Sequence, residues 1–226
     1  MSVEIIPAIL PKDFAELSEK ISLIRGLVKT VQIDVCDGQF VQNATWPYKK
    51  EDDNFNRILS EEEGLPGWQE LNFEIDLMVN RPEEIVEDWV TAGASRIIIH
   101  AEAVGDIGGA INILNGRIDV GLALNIDTPL DQILSYIDKI QSVQCMGIDH
   151  IGFQGQEFDV KVIGKVKEIK SSFPNLKVSV DGGVSLDNAP SLIEAGADRL
   201  VAGSAIFESD NFAEAIRKFK ALGRER

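Results

Sequence analysis

Three carboxylates sit in stretches that otherwise read as buried strands: Asp34 in VQIDVCDGQF (31–40), Asp76 in NFEIDLMV (72–79) and Asp181 in KVSVDGG (177–183). Their neighbours are mostly Val, Ile, Leu and Phe, the types that fill a sheet covered on both faces. An acid kept in such a run is costly unless a cation, a proton or hydrogen bonds meet it. Gathered together, such acids can hold a hard divalent cation or act as a paired proton donor and acceptor. Each alone has a plainer reading, since an acid at a strand end commonly caps a helix or closes a turn. Asp37, followed by Gly38, suits that turn role. His100, at the end of RIIIHAE (96–102), reads as a core histidine before it reads as a ligand.

Side chains alternate sides along a strand. With Val31, Ile33 and Val35 on one face, Gln32, Asp34 and Cys36 share the other. In the same way Phe73, Ile75 and Leu77 leave Glu74, Asp76 and Met78 facing inward, and Val178 and Val180 leave Asp181. His100, and Asn125 on the side of Ala123, extend the expected polar set to five strands that share one mouth. No Lys or Arg lies within these strand ends, and Arg81 is the nearest basic candidate. Oxygen donors without a basic partner point to Mg²⁺ or Mn²⁺, whereas zinc sites carry more His or Cys.

Three glycine-bearing turns form a second chemical feature: GFQGQ (152–156), VDGGVS (180–185) and VAGSAIF (201–207). Glycine lets backbone N–H groups approach a phosphate, so an acidic protein can bind one without a basic side chain. Singly, each is an ordinary turn between a strand and a helix.

These residues need elements to position them. Strand-like runs cover 3–10, 30–37, 71–79, 95–102, 118–126, 143–149, 176–182 and 198–205. Amphipathic segments lie between them, such as DFAELSEKISLIRGL (13–27), FDVKVIGKVKEIKSSF (158–173), SLDNAPSLIEAGA (185–197), with Ser185 as its expected cap, and FAEAIRKFKAL (212–222). Strands alternating with helices imply parallel βαβ units. Eight units in 226 residues fit one α/β domain, a (β/α)₈ TIM barrel over 1–226, whose strand C-terminal ends carry the site. An open doubly wound sheet is the alternative, but PAILPKDF (7–14) lacks the glycines of its first turn.

The formal net charge of −15 argues against nucleic acid or an anionic membrane as partner. The chain has two cysteines, Cys36 and Cys145, and no C-x-x-C pair. No apolar run approaches the roughly 18 residues of a membrane span, and MSVEIIPAIL has no basic leader region. The expectation is a reduced, cytoplasmic protein.

End to end, the chain resembles the ribulose-phosphate 3-epimerase family. The resemblance is carried by PAIL (7–10), QIDVCDGQFVQN (32–43), DLMV (76–79) with Pro82 three residues later, IIIHAEA (97–103), ALNIDTP (123–129), GFQGQEF (152–158) and the long run VDGGVSLDNAPSLIEAGADRLVAGSAIF (180–207). It implies a metal-dependent isomerase that inverts C3 of a phosphorylated ketose through an enediolate. Asp34 and Asp181 take the two proton-transfer positions. Gln32, Asp34, Asp76 and Asp181 take the metal positions. Gly152, Phe153, Gln154, Gly155, Gly182, Gly183, Gly203 and Ser204 fall on the substrate- and phosphate-binding turns. Cys36, Met78 and Met146 fall on a methionine-rich floor, which reads equally as core packing. The family also suggests self-association into a homo-oligomer.

The departures are specific. The family motif H-x-D is Gln32-Ile33-Asp34 here, and the histidine of H-L-M-V is Asp76. A serine after the first proline is Ala8, and the strand-6 loop 149–156 is one residue longer. Two further readings therefore stand beside the epimerase. A catalytically silent sugar-phosphate-binding barrel would lose the metal histidines and keep the phosphate turns. A barrel lyase or decarboxylase would use Asp-x-Lys-x-x-Asp in strand 3, where this chain has no lysine between Glu74 and Val79.

Overall fold

The computed structural model describes residues 3–49 and 53–223, so both ends of the expected 1–226 domain and residues 50–52 lie outside the described residues. Eight strands follow in order: β1 (Glu4–Ile9), β2 (Thr30–Cys36), β3 (Asn72–Met78), β4 (Ala94–His100), β5 (Asp119–Leu124), β6 (Ser142–Met146), β7 (Lys177–Asp181) and β8 (Arg199–Ala202). All pair in parallel, and β8 closes onto β1, so the sheet is a barrel without free edges.

Around it run α1 (Phe14–Ile24), α2 (Asn54–Leu59), α3 (Val86–Thr91), α4 (Ile107–Leu114), α5 (Lys161–Ser172), α6 (Ala189–Ala195), α7 (Ser204–Phe207) and α8 (Phe212–Leu222). Between β5 and β6 the crossover is a 3₁₀ stretch, Leu130–Lys139. Helix α1 starts where the Asp13 side chain accepts from the Glu16 backbone N–H at 2.9 Å, and it buries Leu17, Ile21 and Ile24, spaced three to four apart. Helix α8 repeats the device with Asn211 and Glu214.

Two expectations are corrected. Ser185 does not cap α6, which begins at Ala189. Pro190 has no N–H and fits only the first helical turn, so the helix cannot start several residues earlier. Asn188 bridges the intervening turn, accepting from Ser185 N–H and donating to Gly183 O, both at 2.9 Å. The eighth strand is also shorter than 198–205, because Gly203 turns the chain into α7.

Outward residues such as Val31, Ile33, Val35, Ile75 and Val180 form the main core under the helices. The interior is layered. Towards the strand C-terminal ends lie Cys36, Met78, Ile98, Ala123 and Met146. The opposite end carries charge: Arg96 bonds buried Glu74 at 2.6 Å and Asp119 at 3.1 Å, and Thr30 donates to Glu4 at 2.7 Å. In a barrel this end serves stability, and the other end is free for a site.

Candidate active site

The register of β2 against β3 sets Asp34 directly beside Asp76, and that of β6 against β7 sets Met146 beside Asp181. Strands β2, β3 and β7 thus bring three buried carboxylates to one level, with an oxygen from each within 4.8 Å of the others. They face a cleft at the strand C-terminal ends.

Every substrate-position candidate lines this cleft: Gly152, Phe153, Gln154 and Gly155 from the loop after β6, Gly182 and Gly183 after β7, and Gly203 and Ser204 after β8. Gly183 has φ +66°, and a Cβ there would come within 2.8 Å of the Phe158 backbone. A Cβ at Gly203 would meet the Gln154 carboxamide at 2.6 Å. That carboxamide reaches across the mouth and donates to Ala8 O at 3.3 Å. The strand-6 loop is tied from the far side by Asn43, which donates to Gly152 O at 2.8 Å. Among the described residues, no Lys, Arg or His lines the cleft.

Gln32 lies beneath the cleft floor, fully buried. Its Nε2 donates to Asp34 Oδ1 at 2.8 Å and to Asp181 Oδ2 at 2.7 Å, bridging the two acids. Burial, reinforced by Asp181 and Asp76, pushes the Asp34 carboxyl well above the usual carboxylate range, against the Gln32 bond. Burial and then Asp76 push Asp181 up to about 7. Without a cation the group therefore retains a proton near neutrality. Cys36 is inert there, since burial and Asp34 raise its thiol.

His100 and Asn125 do not open into the cleft. His100 is fully buried, with Nε2 3.2 Å from Asp76 Oδ1 and Nδ1 3.8 Å from Glu102 Oε2. Burial alone would strip its proton, but Asp76 and Glu102 outweigh burial and hold it up to about 9. Burial would likewise raise Glu102, yet bonds from His100, Thr128 and the Asn125 backbone bring it down to about 2. Asn125 lines a separate depression with Glu102, Asp149 and His150. Among the described residues, the carboxylates lining the mouth thus come from β2, β3 and β7, whereas His100 of β4 turns to Asp76 and Glu102 and Asn125 opens elsewhere. Arg81 pairs with Glu84 at 3.0 Å on the surface. Asp37 makes the expected turn, accepting from Gln39 and Phe40 N–H and, through Oδ2, from Asn80 N–H.

The donor set suits a hard cation. Three carboxylates converge, and the buried Gln32 Oε1 has no hydrogen-bond partner. Oxygen donors of this kind match Mg²⁺ or Mn²⁺. One residue at this level escaped the sequence reading: Gln144 on β6, whose Nε2 lies 3.3 Å from both Asp76 Oδ2 and Asp181 Oδ2. Its position two residues before inward-facing Met146 was the available signal.

The family model described as the ribulose-phosphate 3 epimerase family matches residues 4–207. Ribulose-phosphate 3-epimerase of Bacillus subtilis (strain 168) is 32% identical over 225 residues, covering 96% of this chain and 98% of the relative. The chloroplastic ribulose-5-phosphate-3-epimerase of Arabidopsis thaliana is 33% identical, covering 96% and 76%. Among solved structures, KGPDC from Streptococcus mutans superposes with a TM-score of 0.71 at 16% identity, covering 97% of this chain and 96% of that one. The 3-hexulose-6-phosphate synthase from Salmonella typhimurium gives 0.69 at 15%, covering 98% of each. At such identities these two speak for the barrel fold alone.

Proposed function

The chain belongs to the ribulose-phosphate 3-epimerase family, and from that premise we propose that it inverts C3 of a phosphorylated pentulose, interconverting ribulose 5-phosphate and xylulose 5-phosphate by proton transfer between Asp34 and Asp181. The observation that carries this reading is the pair itself: two buried carboxylates from β2 and β7, both shifted upward, within 4.8 Å of each other at the floor of one cleft.

Inversion at a carbon next to a ketone requires a base on one face and an acid on the other. Two carboxyls that share one proton meet that need, the ionised one removing the C3 proton and the protonated one returning a proton to the opposite face. Because the reaction runs both ways, Asp34 and Asp181 exchange roles with direction. Gln32, hydrogen-bonded to both, fixes their spacing. Met78 and Met146 line the cleft and present a surface that cannot compete for the proton. Gly182, Gly183, Gly203 and Ser204 supply backbone N–H groups for the phosphate, with Gln154 beside them.

Gln32, Asp34, Asp76 and Asp181 are the residues that would hold a divalent cation, Mg²⁺ or Mn²⁺ rather than Zn²⁺. When bound, such an ion offsets the negative charge that gathers on the substrate oxygens as the C3 proton leaves. The whole barrel, 1–226, then serves one pentulose-phosphate site.

The test is conversion of ribulose 5-phosphate to xylulose 5-phosphate by the purified chain before and after chelation, with Mn²⁺, Mg²⁺ or Zn²⁺ added back. Turnover that chelation removes, and that Mn²⁺ or Mg²⁺ restores better than Zn²⁺, is expected. Tight binding of the sugar phosphate without turnover or bound metal would instead select the silent barrel.

A further inference from the structure

Gln144 meets the carboxylate cluster from β6, outside the motifs that carry the family resemblance. It is fully buried, and its carboxamide ends on two of the acids, with Nε2 3.3 Å from Asp76 Oδ2 and 3.3 Å from Asp181 Oδ2. Its Oε1 is buried without a hydrogen-bond partner. Gln32, on β2 at the opposite side of the barrel, is in the same condition: Nε2 bonds two acids and Oε1 is orphaned. An unpaired buried carbonyl oxygen is costly, and here two of them accompany the same three carboxylates.

In the absence of a cation neither amide can relieve this by turning over, because an amide oxygen would then face carboxylate oxygens. A cation among the carboxylates reverses that preference, since amide oxygens are hard donors that suit the same ions as carboxylates. The nitrogen and oxygen of a carboxamide occupy nearly equal space, so exchanging them requires no repacking of the barrel interior.

We propose that Gln144 is a ligand of the divalent cation, its Oε1 joining Gln32, Asp34, Asp76 and Asp181 in an all-oxygen set. This rests on the reading that the carboxylate cluster holds a cation. It makes Gln144 a determinant of metal choice: it adds a further oxygen donor, and no charge, to a site already bearing three acids.

The experiment is calorimetric titration of the chelator-treated full chain with MnCl₂, checked by electron paramagnetic resonance of free Mn²⁺. Wild type, Gln144→Leu and Gln144→Met are compared, with folding verified by circular dichroism. Leucine and methionine keep the volume and remove the oxygen. A lost ligand should weaken Mn²⁺ binding by at least about tenfold, as loss even of supporting contacts does elsewhere. The opposite role predicts the opposite sign. If Gln144 serves only as an N–H donor to the acids, its removal lifts a competitor of the cation, and binding stays equal or tightens. That result overturns the assignment of Gln144 alone. Failure of the wild type to take up Mn²⁺ overturns it together with the cation reading beneath it.

Discussion

Asp34 and Asp181 stand among apolar side chains, bridged by one carboxamide and backed by a single buried imidazole on Asp76. Replacing either acid by Asn keeps the shape and removes the proposed proton-transfer group. Asp34→Asn and Asp181→Asn should each lower kcat by about 10²–10⁴-fold with little change in KM, measured on ribulose 5-phosphate. The same groups set the pH dependence of the metal-free protein. A carboxyl raised on folding favours the folded state at low pH, and that contribution is lost as pH rises through the folded value. For Asp181 the loss runs from about 4 to about 7. His100 is also raised, to about 9, so its contribution is present below about 6.5 and lost as pH climbs to 9. In chelator, the Tm should therefore fall between pH 5 and 9, and saturating Mn²⁺ should flatten or reverse the trend. A Tm that rises with pH in chelator contradicts this electrostatic picture. At this scale the three acids were legible because strand parity alone turns them inward. Gln144 was not singled out: its parity with Met146 turns it inward, but its contact with Asp76 and Asp181 follows only once β6 is known to lie beside β7. His100 and Glu102 were visible as residues, but the placement of His100 between Asp76 and Glu102 depends on packing between β3 and β4.

The strands supply the rigid frame, and their charged lower end is a separate stability element. Glu74 is fully buried and bonded at 2.6 Å to Arg96, which also reaches Asp119. Arg96→Met leaves Glu74 without its partner and should cost about 3–5 kcal/mol in urea unfolding. Glu74→Leu combined with Arg96→Met should recover most of that loss, because no charge is then left stranded. A single substitution as mild as the double would show that the pair contributes little. All eight strands could be read from alternating apolar runs to within a few residues. Helix starts were harder, as α6 shows: Ser185 looks like a cap in the sequence, but Pro190 and Asn188 decide where the helix begins. The 3₁₀ crossover after β5 carries a helical apolar pattern and still does not form a regular α-helix, which periodicity cannot reveal.

For the whole molecule, the charge of −15 and the lack of basic side chains lining the cleft act together. On the proposed function, a dianionic sugar phosphate would be repelled at long range and captured at short range by backbone N–H groups. Raising KCl from about 20 to about 200 mM shortens the screening length from about 20 Å to about 7 Å. It should raise kcat/KM, whereas a fall would indicate a positively steering site. Among the described residues no helix is long and apolar enough to cross a membrane. The closed barrel joins β2 to β7 through β1 and β8, and this closure places the two aspartates across one cavity. The most direct test of that arrangement is solvent deuterium incorporation at C3 of ribulose 5-phosphate and xylulose 5-phosphate, with saturating Mn²⁺ or Mg²⁺. Wild type should label both epimers, and neither Asp34→Asn nor Asp181→Asn should complete the inversion. Absence of deuterium at C3 from either sugar with the wild-type chain would contradict the two-aspartate account.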